Sequence, residues 1–159
     1  MIRRILKSGF GGCICRRGKG KKHEAEAERE QQTEQLKLRF GESLQVSWEL
    51  ACTDFMIPSL TLQPLVENAV RYGVRGNEDG CGTVRILSRD CADHYEISVV
   101  DDGPGFSPGD KQGFDERTHV GIENVKERLR AVCNGEFRIQ SAPGAGTQAI
   151  IILPKEKET

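Results

Sequence analysis

No part of the chain holds the run of roughly 18 apolar residues that a membrane-crossing helix needs. With 36% hydrophobic and 30% charged residues in 159, the composition excludes a membrane bundle and a fully disordered polymer alike. None of the six cysteines, at 13, 15, 52, 81, 91 and 133, forms a C-x-x-C pair or meets a histidine at zinc-ligand spacing, which argues against zinc. Cys13 and Cys15 offer a soft metal only two ligands, an incomplete site. The N-terminus lacks the continuous apolar segment and small-residue cleavage site of a secretion signal, so it is expected to be retained and the thiols to stay free in a reducing cytosol. Acids are missing from residues 1–22, which carry eight Lys/Arg, so all 24 Asp/Glu fall in residues 23–159. Ile2, Ile5, Leu6 and Phe10 give this basic stretch a weakly amphipathic look that would suit an anionic surface. A solvated, disordered tail is the plainer expectation, and no nucleic-acid partner is expected.

What is present falls into ordered segments. Residues 24–39 are almost wholly strong helix formers ending at Gly41, with Leu36, Leu38 and Phe40 as their apolar contacts. Leu44, Val46, Trp48 and Leu50 alternate with polar residues, the period of a half-buried strand. After Pro58, the spacing of Leu62, Leu65, Val66, Ala69, Val70 and Gly73 predicts an amphipathic helix. Its start is placed near Thr61 or Leu62 because Pro64 is tolerated only in a first turn. Residues 83–88 and 95–100 read as a hairpin joined by Arg-Asp-Cys-Ala-Asp. The segment from Asp101 to His119, with Gly103, Pro104, Gly105, Pro108, Gly109 and Gly113, is long for a structureless loop, and residues 102–119 are a candidate lid. Val120, Val125, Leu129 and Val132 predict a second helix, and residues 137–140 and 148–153 two closing strands. The order strand, helix, two strands, helix, two strands predicts an α+β fold. It is a two-layer sandwich, with a mixed, mostly antiparallel sheet and its helices on one face.

Four segments carry chemistry. On the first helix, Asn68, Arg71 and Tyr72 stand at i, i+3 and i+4 and are expected to share one side. An amide oxygen suits Mg²⁺, a guanidinium pairs with phosphate, and a phenol ring can cover a base. The hairpin ends in Val-Val-Asp-Asp-Gly-Pro-Gly-Phe, where a strand delivers Asp101 as an acceptor while Gly103 and Gly105 let backbone approach a ligand. In His-Val-Gly-Ile-Glu-Asn-Val, Gly121 is expected at the mouth of the second helix, open to phosphate. In Gly-Ala-Gly-Thr, the glycines turn into the last strand and leave Thr147 to donate a hydroxyl near Asp101.

Together PLVENAVRYG, DDGPGF, HVGIENVKERL and GAGT resemble, in order, the four nucleotide-binding boxes of the GHKL ATPases, the superfamily of histidine kinases, DNA gyrase and a heat-shock chaperone. LQPLVENAVRYG with GIENVKERL most resembles bacterial histidine kinases whose phosphoacceptor lies in a PHFLFN motif. The resemblance covers about 24–154 and implies the Bergerat ATP-binding fold. It implies that Asn68 holds Mg²⁺, that Arg71 and Tyr72 line phosphate and base, and that Asp101 reads the adenine amino group with Thr147 in support. Gly103, Gly105, Gly121 and Asn124 would shape the pocket. No P-loop G-x-x-x-x-G-K-[ST] is present, so phosphate would be held differently.

The sequence departs from the pattern at three points. ATP-hydrolysing members usually carry Glu four residues before the magnesium Asn; here that place is Pro64. Glu67 is the remaining candidate base, although it stands about 100° round the helix from Asn68. His119 replaces a glycine often seen there. No PHFLFN motif occurs, and the histidines are His23, His94 and His119. His23, followed by an acidic segment without an apolar dimerisation face, is a poor phosphoacceptor. The domain reading is therefore a basic tail at 1–22, a stub of a dimerisation helix at 23–41, an ATP-binding domain at 42–155 and a charged tail at 156–159. Expected partners are a phosphoacceptor-histidine domain and a response regulator, with a homodimer through 24–40. The expected location is cytoplasmic, with any membrane segment upstream. Alternatives of the same fold are an anti-sigma-type serine kinase and a nucleotide-binding module without phosphotransfer.

Overall fold

The computed structural model describes residues 30–31, 33–38, 41, 43–52, 55–58, 60–73, 76–107 and 116–155, with backbone only at 116–119. The basic tail with Cys13 and Cys15, His23, the loop at 108–115 and the tail at 156–159 lie outside the described residues. Strand β1 is Leu44–Leu50, followed by helix α1, Leu62–Asn68, which continues as a π-helical turn over Ala69–Gly73. Strands β2, Gly82–Asp90, and β3, His94–Asp101, precede helix α2, Glu116–Cys133, and the closing strands β4, Glu136–Ser141, and β5, Thr147–Pro154. The expected order of elements is the observed one.

The five strands lie in the order β1-β2-β3-β5-β4. β1 runs parallel to β2, while β2–β3, β3–β5 and β5–β4 are antiparallel. A parallel pair needs a crossover, and α1 supplies it between β1 and β2. α2 does the same between β3 and β4, which end up parallel with β5 between them. Two strand–helix–strand units thus place their helices on one face, joined by the β2–β3 hairpin. The inner face of the sheet presents Val84, Ile86, Ile97, Val99, Ile151 and Leu153 to Leu65, Val66 and Val70 from the first helical segment and Val125 and Leu129 from α2. The alternation read in β1 has Leu44 fully buried, with Val46, Trp48 and Leu50 packed against the same core.

Three details differ from the sequence reading. The first helix loses its regular 3.6-residue period at Ala69, where the π turn begins. The second helix starts at Glu116 rather than near Val120, because no breaker interrupts Glu-Arg-Thr-His. In the segment before β1, residues 30–31 and 33–38 are helical, and Gly41 N–H caps the Lys37 carbonyl at 2.7 Å with a φ of 101°. There Leu36 is buried but Leu38 is 83% exposed, so only the former contributes to the core. Trp48 Nε1 donates to Thr33 Oγ1 at 3.1 Å and joins that segment to β1. Among the described residues no helix is long and apolar enough to cross a membrane, and Cys52, Cys81, Cys91 and Cys133 are free thiols.

Leu129 has no exposed surface, so Leu129→Ala is expected to cost about 2–5 kcal/mol in urea unfolding. Val132, three residues on, is 58% exposed, and Val132→Ala is expected to stay within about 0.5 kcal/mol.

Candidate functional site

Between the helices and the β3-β5-β4 half of the sheet lies an empty space of about 600 Å³, part of it open to solvent. Its walls are apolar: Leu65 and Ala69 from the first helical segment, Val99 and Ala149 from the sheet, Ile122 from α2, Phe106 from the loop, Phe137 and Ile139 from β4. Four polar side chains interrupt them, Asn68, Tyr72, Asp101 and Thr147. An apolar cleft with a few convergent polar groups is the general form of a ligand site.

Asp101 is the last residue of β3 and is only 5% exposed. Its register partner across the antiparallel pair is Thr147, the first residue of β5, so the two side chains stand side by side on the inner face. Gly103 N–H donates to Asp101 Oδ1 at 3.1 Å. Burial pushes the Asp101 carboxyl up to about 6, opposed by main-chain hydrogen bonds from Gly103 and Thr147 and assisted by the neighbouring charge of Asp102. Thr147 therefore supports Asp101 through its main chain, while its hydroxyl lies 3.0 Å from that of Ser141.

The glycines around Asp101 leave room for other parts of the chain. A Cβ on Gly73 would stand 2.4 Å from Asp101 Cγ, and one on Gly103 would stand 2.2 Å from Gly73 Cα. The end of the π turn and the chain after β3 therefore interlock over the carboxylate at a distance that only glycine permits. Gly105, at a φ of 63°, presses likewise on the turn before β5, where a Cβ would meet the Ala142 carbonyl at 2.1 Å. The sequence reading gave Gly103 and Gly105 the task of admitting a ligand; here the space beside each is filled by neighbouring backbone. Gly73, read in the sequence only as part of the helical spacing, covers Asp101.

The remaining candidates divide. Asn68 and Tyr72 face the cavity, and the Asn68 amide makes no hydrogen bond to the described residues. Arg71 is exposed and outside the described cavity wall, its guanidinium carbon 5.9 Å from the centre of the Tyr72 ring. The i→i+5 winding of the π turn carries it off the side that Asn68 and Tyr72 share. Glu67 accepts from Gln63 Nε2 at 3.2 Å and does not line the cavity. Gly121 is the sixth residue of α2 rather than its mouth, and a Cβ there would meet nothing within 4 Å. Asn124 is exposed, outside the described wall. Ile122, Phe137 and Ile139 were not singled out from the sequence. Their only signal was the apolar alternation of β4 and the helical spacing with Val125, which mark a core face equally well. Among the described residues no group of three His, Cys, Asp or Glu could hold a metal ion.

An open apolar slot closed by a buried carboxylate suits a flat base carrying an N–H donor, and comparison with known proteins gives the class. The chain belongs to the histidine kinase-, DNA gyrase B-, and HSP90-like ATPase family, whose model matches residues 56–157. It is 36% identical over 121 residues to the YwpD protein of Bacillus subtilis (strain 168), covering 74% of this chain and 44% of that one. It is 30% identical to the sensor histidine kinase YesM of the same organism, covering 77% of this chain and 22% of the relative. Against the Escherichia coli (strain K12) sensor histidine kinase YpdA the identity is 29%, over 75% of this chain and 22% of the relative. The chain thus spans less than half the length of these relatives. In fold it is similar to the Acinetobacter baumannii histidine kinase AdeS, at a TM-score of 0.62 and 19% identity over 81% of this chain and 64% of that one. The histidine kinase domain of an Erythrobacter litoralis blue-light activated kinase gives a TM-score of 0.59 at 17% identity, over 80% of this chain and 59% of that one.

The raised proton affinity of Asp101 has a sign. The folded carboxyl binds a proton near pH 6 and the unfolded one near 3.9, so between these values the folded state holds the extra proton. Stability of the free protein is therefore expected to fall as pH rises from about 4 to about 6, by roughly 2–3 kcal/mol, and to level off above. Urea unfolding against pH checks this, and Asp101→Asn is expected to remove that part of the slope.

Proposed function

We propose that this domain is the ATP-binding catalytic half of a two-component sensor kinase. It would hold ATP in the cavity and present the γ-phosphate to a histidine on a separate segment or chain. The observation that carries the reading is the buried carboxylate of Asp101 at the closed end of an apolar cleft that also displays Asn68, Tyr72 and Thr147. Asp101 would accept the adenine amino group, and Tyr72 and the apolar walls would sandwich the ring. The resemblance to sensor histidine kinases supports the phosphotransfer. His94, at the start of β3 and so at the opposite end of the strand from Asp101, instead pairs with Asp93, its Nδ1 2.6 Å from Asp93 Oδ1.

Mg²⁺ fits the residues present in one way. With no carboxylate cluster among the described residues, the Asn68 amide oxygen would be the protein ligand and the nucleotide phosphates the others, in keeping with the ion's habit of binding through substrate. The ion would neutralise charge on the phosphates; the chain's own work is positioning. Arg71, exposed near the cleft, would meet phosphate from outside, and the open face above Gly121 would admit phosphate beside α2, with Asn124 one turn on. Glu67 stands in reserve as a base, one residue from Asn68. A response regulator as the next phosphate acceptor, a homodimer through 24–40 and a cytoplasmic location belong to the same reading.

With radiolabelled ATP and a histidine-bearing dimerisation domain added in trans, acid-labile, alkali-stable label is expected on the added domain. Acid-stable label would show a serine kinase instead, and nucleotide binding without label a module that does not transfer phosphate. Asn68→Ala is expected to bind ATP equally with and without Mg²⁺; persistent enhancement by the ion would place the metal elsewhere. Wild-type affinity for ATP is expected to drop as pH falls below about 6, the value to which burial raises Asp101, since a protonated carboxyl accepts the amino group poorly. Asp101→Asn is expected to lose that pH step together with roughly 1.5–3 kcal/mol of binding, read by calorimetry; an affinity flat with pH would remove Asp101 from base recognition.

A further inference from the structure

Ser141, the last residue of β4, has its hydroxyl among three partners. It accepts the Phe106 N–H at 3.0 Å, lies 2.9 Å from the Gly146 carbonyl oxygen and lies 3.0 Å from Thr147 Oγ1. A serine hydroxyl has one hydrogen and two lone pairs. The Gly146 carbonyl can only accept, so the hydrogen goes there. The Phe106 amide can only donate, so it takes one lone pair. A single lone pair is left for Thr147, and in that contact Thr147 must be the donor. With its own hydrogen committed to Ser141, the Thr147 hydroxyl has only lone pairs left for the cavity that it lines beside Asp101. The nearby main-chain N–H groups of Gly103 and Thr147 are already directed at the Asp101 carboxylate.

We infer that Ser141 is a specificity-determining positioning residue: by fixing Thr147 as an acceptor, it makes the closed end of the cavity acceptor-only and selects a 6-aminopurine nucleotide against a 6-keto one. The inference rests on the nucleotide-binding reading above. A 6-amino group offers hydrogens to both Asp101 and Thr147. A 6-keto oxygen meets lone pairs on both sides and finds no donor, and a site whose polar groups are left unpaired rejects a ligand strongly. The same hydroxyl holds the loop root to the turn before β5, beside the Gly144 N–H to Pro104 carbonyl bond at 2.7 Å.

Calorimetric titration of the full chain with ATP and with inosine triphosphate, its 6-keto counterpart, tests the inference. Wild type is expected to prefer ATP by more than tenfold. Ser141→Ala is expected to narrow that preference roughly three- to tenfold, the range of one neutral hydrogen bond. The change should come mainly through a gain for the inosine nucleotide, because the released Thr147 hydroxyl can turn its hydrogen towards the 6-keto oxygen. Ser141→Thr, which keeps the hydroxyl, is expected to retain the wild-type preference. A merely structural Ser141 would weaken both nucleotides together, and an unmoved ratio in a folded Ser141→Ala overturns the inference. Should that variant fail to fold, Thr147→Val decides. Loss of the acceptor is expected to narrow the preference for ATP over purine riboside triphosphate, which has hydrogen at position 6, and an unchanged preference overturns the inference. A wild-type chain that binds neither ATP nor the inosine nucleotide overturns the nucleotide reading as well, whereas ATP binding with unmoved ratios overturns the role of Ser141 alone.

Discussion

Everything at the candidate site depends on how closely the end of the first helical segment approaches the end of β3. Gly73 lies on the Asp101 side chain and Gly103 lies on Gly73, each at a separation that a single methyl group would prevent. Water is thereby kept from the carboxylate, which explains its raised proton affinity. The same exclusion makes any hydrogen bond it forms worth more than it would be in water. The turn before β5 closes the other side, where a Cβ on Gly146 would stand 2.1 Å from the Asp101 carbonyl oxygen. A group that is costly to bury is held there by backbone alone, without a neutralising cation among the causes of its shift.

Topology brings the contributing segments together. Asp101 and Thr147 are 46 positions apart in sequence yet adjacent in register, because β5 inserts between β3 and β4. Each helix crosses over the face on which these residues point, so Asn68 and Tyr72 arrive from one side and Ile122 from the other. The mixed sheet matters here: had β3 and β4 been direct neighbours, the strand carrying Thr147 would have been displaced from Asp101.

Much of this was legible in the sequence, and the parts that were not share physical reasons. Strand alternation, the Pro64 constraint and the Gly-rich turns gave the order of elements, and Asp101 and Thr147 were placed together correctly. Arg71 was grouped with Asn68 and Tyr72 because a 3.6-residue period was assumed, and nothing in Ala-Val-Arg-Tyr-Gly announces a π turn. The glycines were read for permissiveness towards a ligand; sequence does not tell whether the space beside a glycine is filled by ligand or by backbone, and here backbone fills it. Ile122, Phe137 and Ile139 carried a core signal that does not distinguish a packed face from a cavity wall. Ser141 resembled any serine entering a turn, since a hydroxyl that joins its own turn to the remote Phe106 leaves no local trace.

The one tryptophan of the chain has a practical consequence. Trp48 is half-buried on β1, bonded through its indole N–H to Thr33 of the preceding helical segment. It stands in the same cross-strand row as Ile86, Val99 and Ala149, the last two of which wall the cavity. Strand β2 lies between it and β3, which walls the ligand space, so a bound base would not quench it by contact. Its emission is instead an optical gauge of how the upstream helical segment sits against the sheet edge.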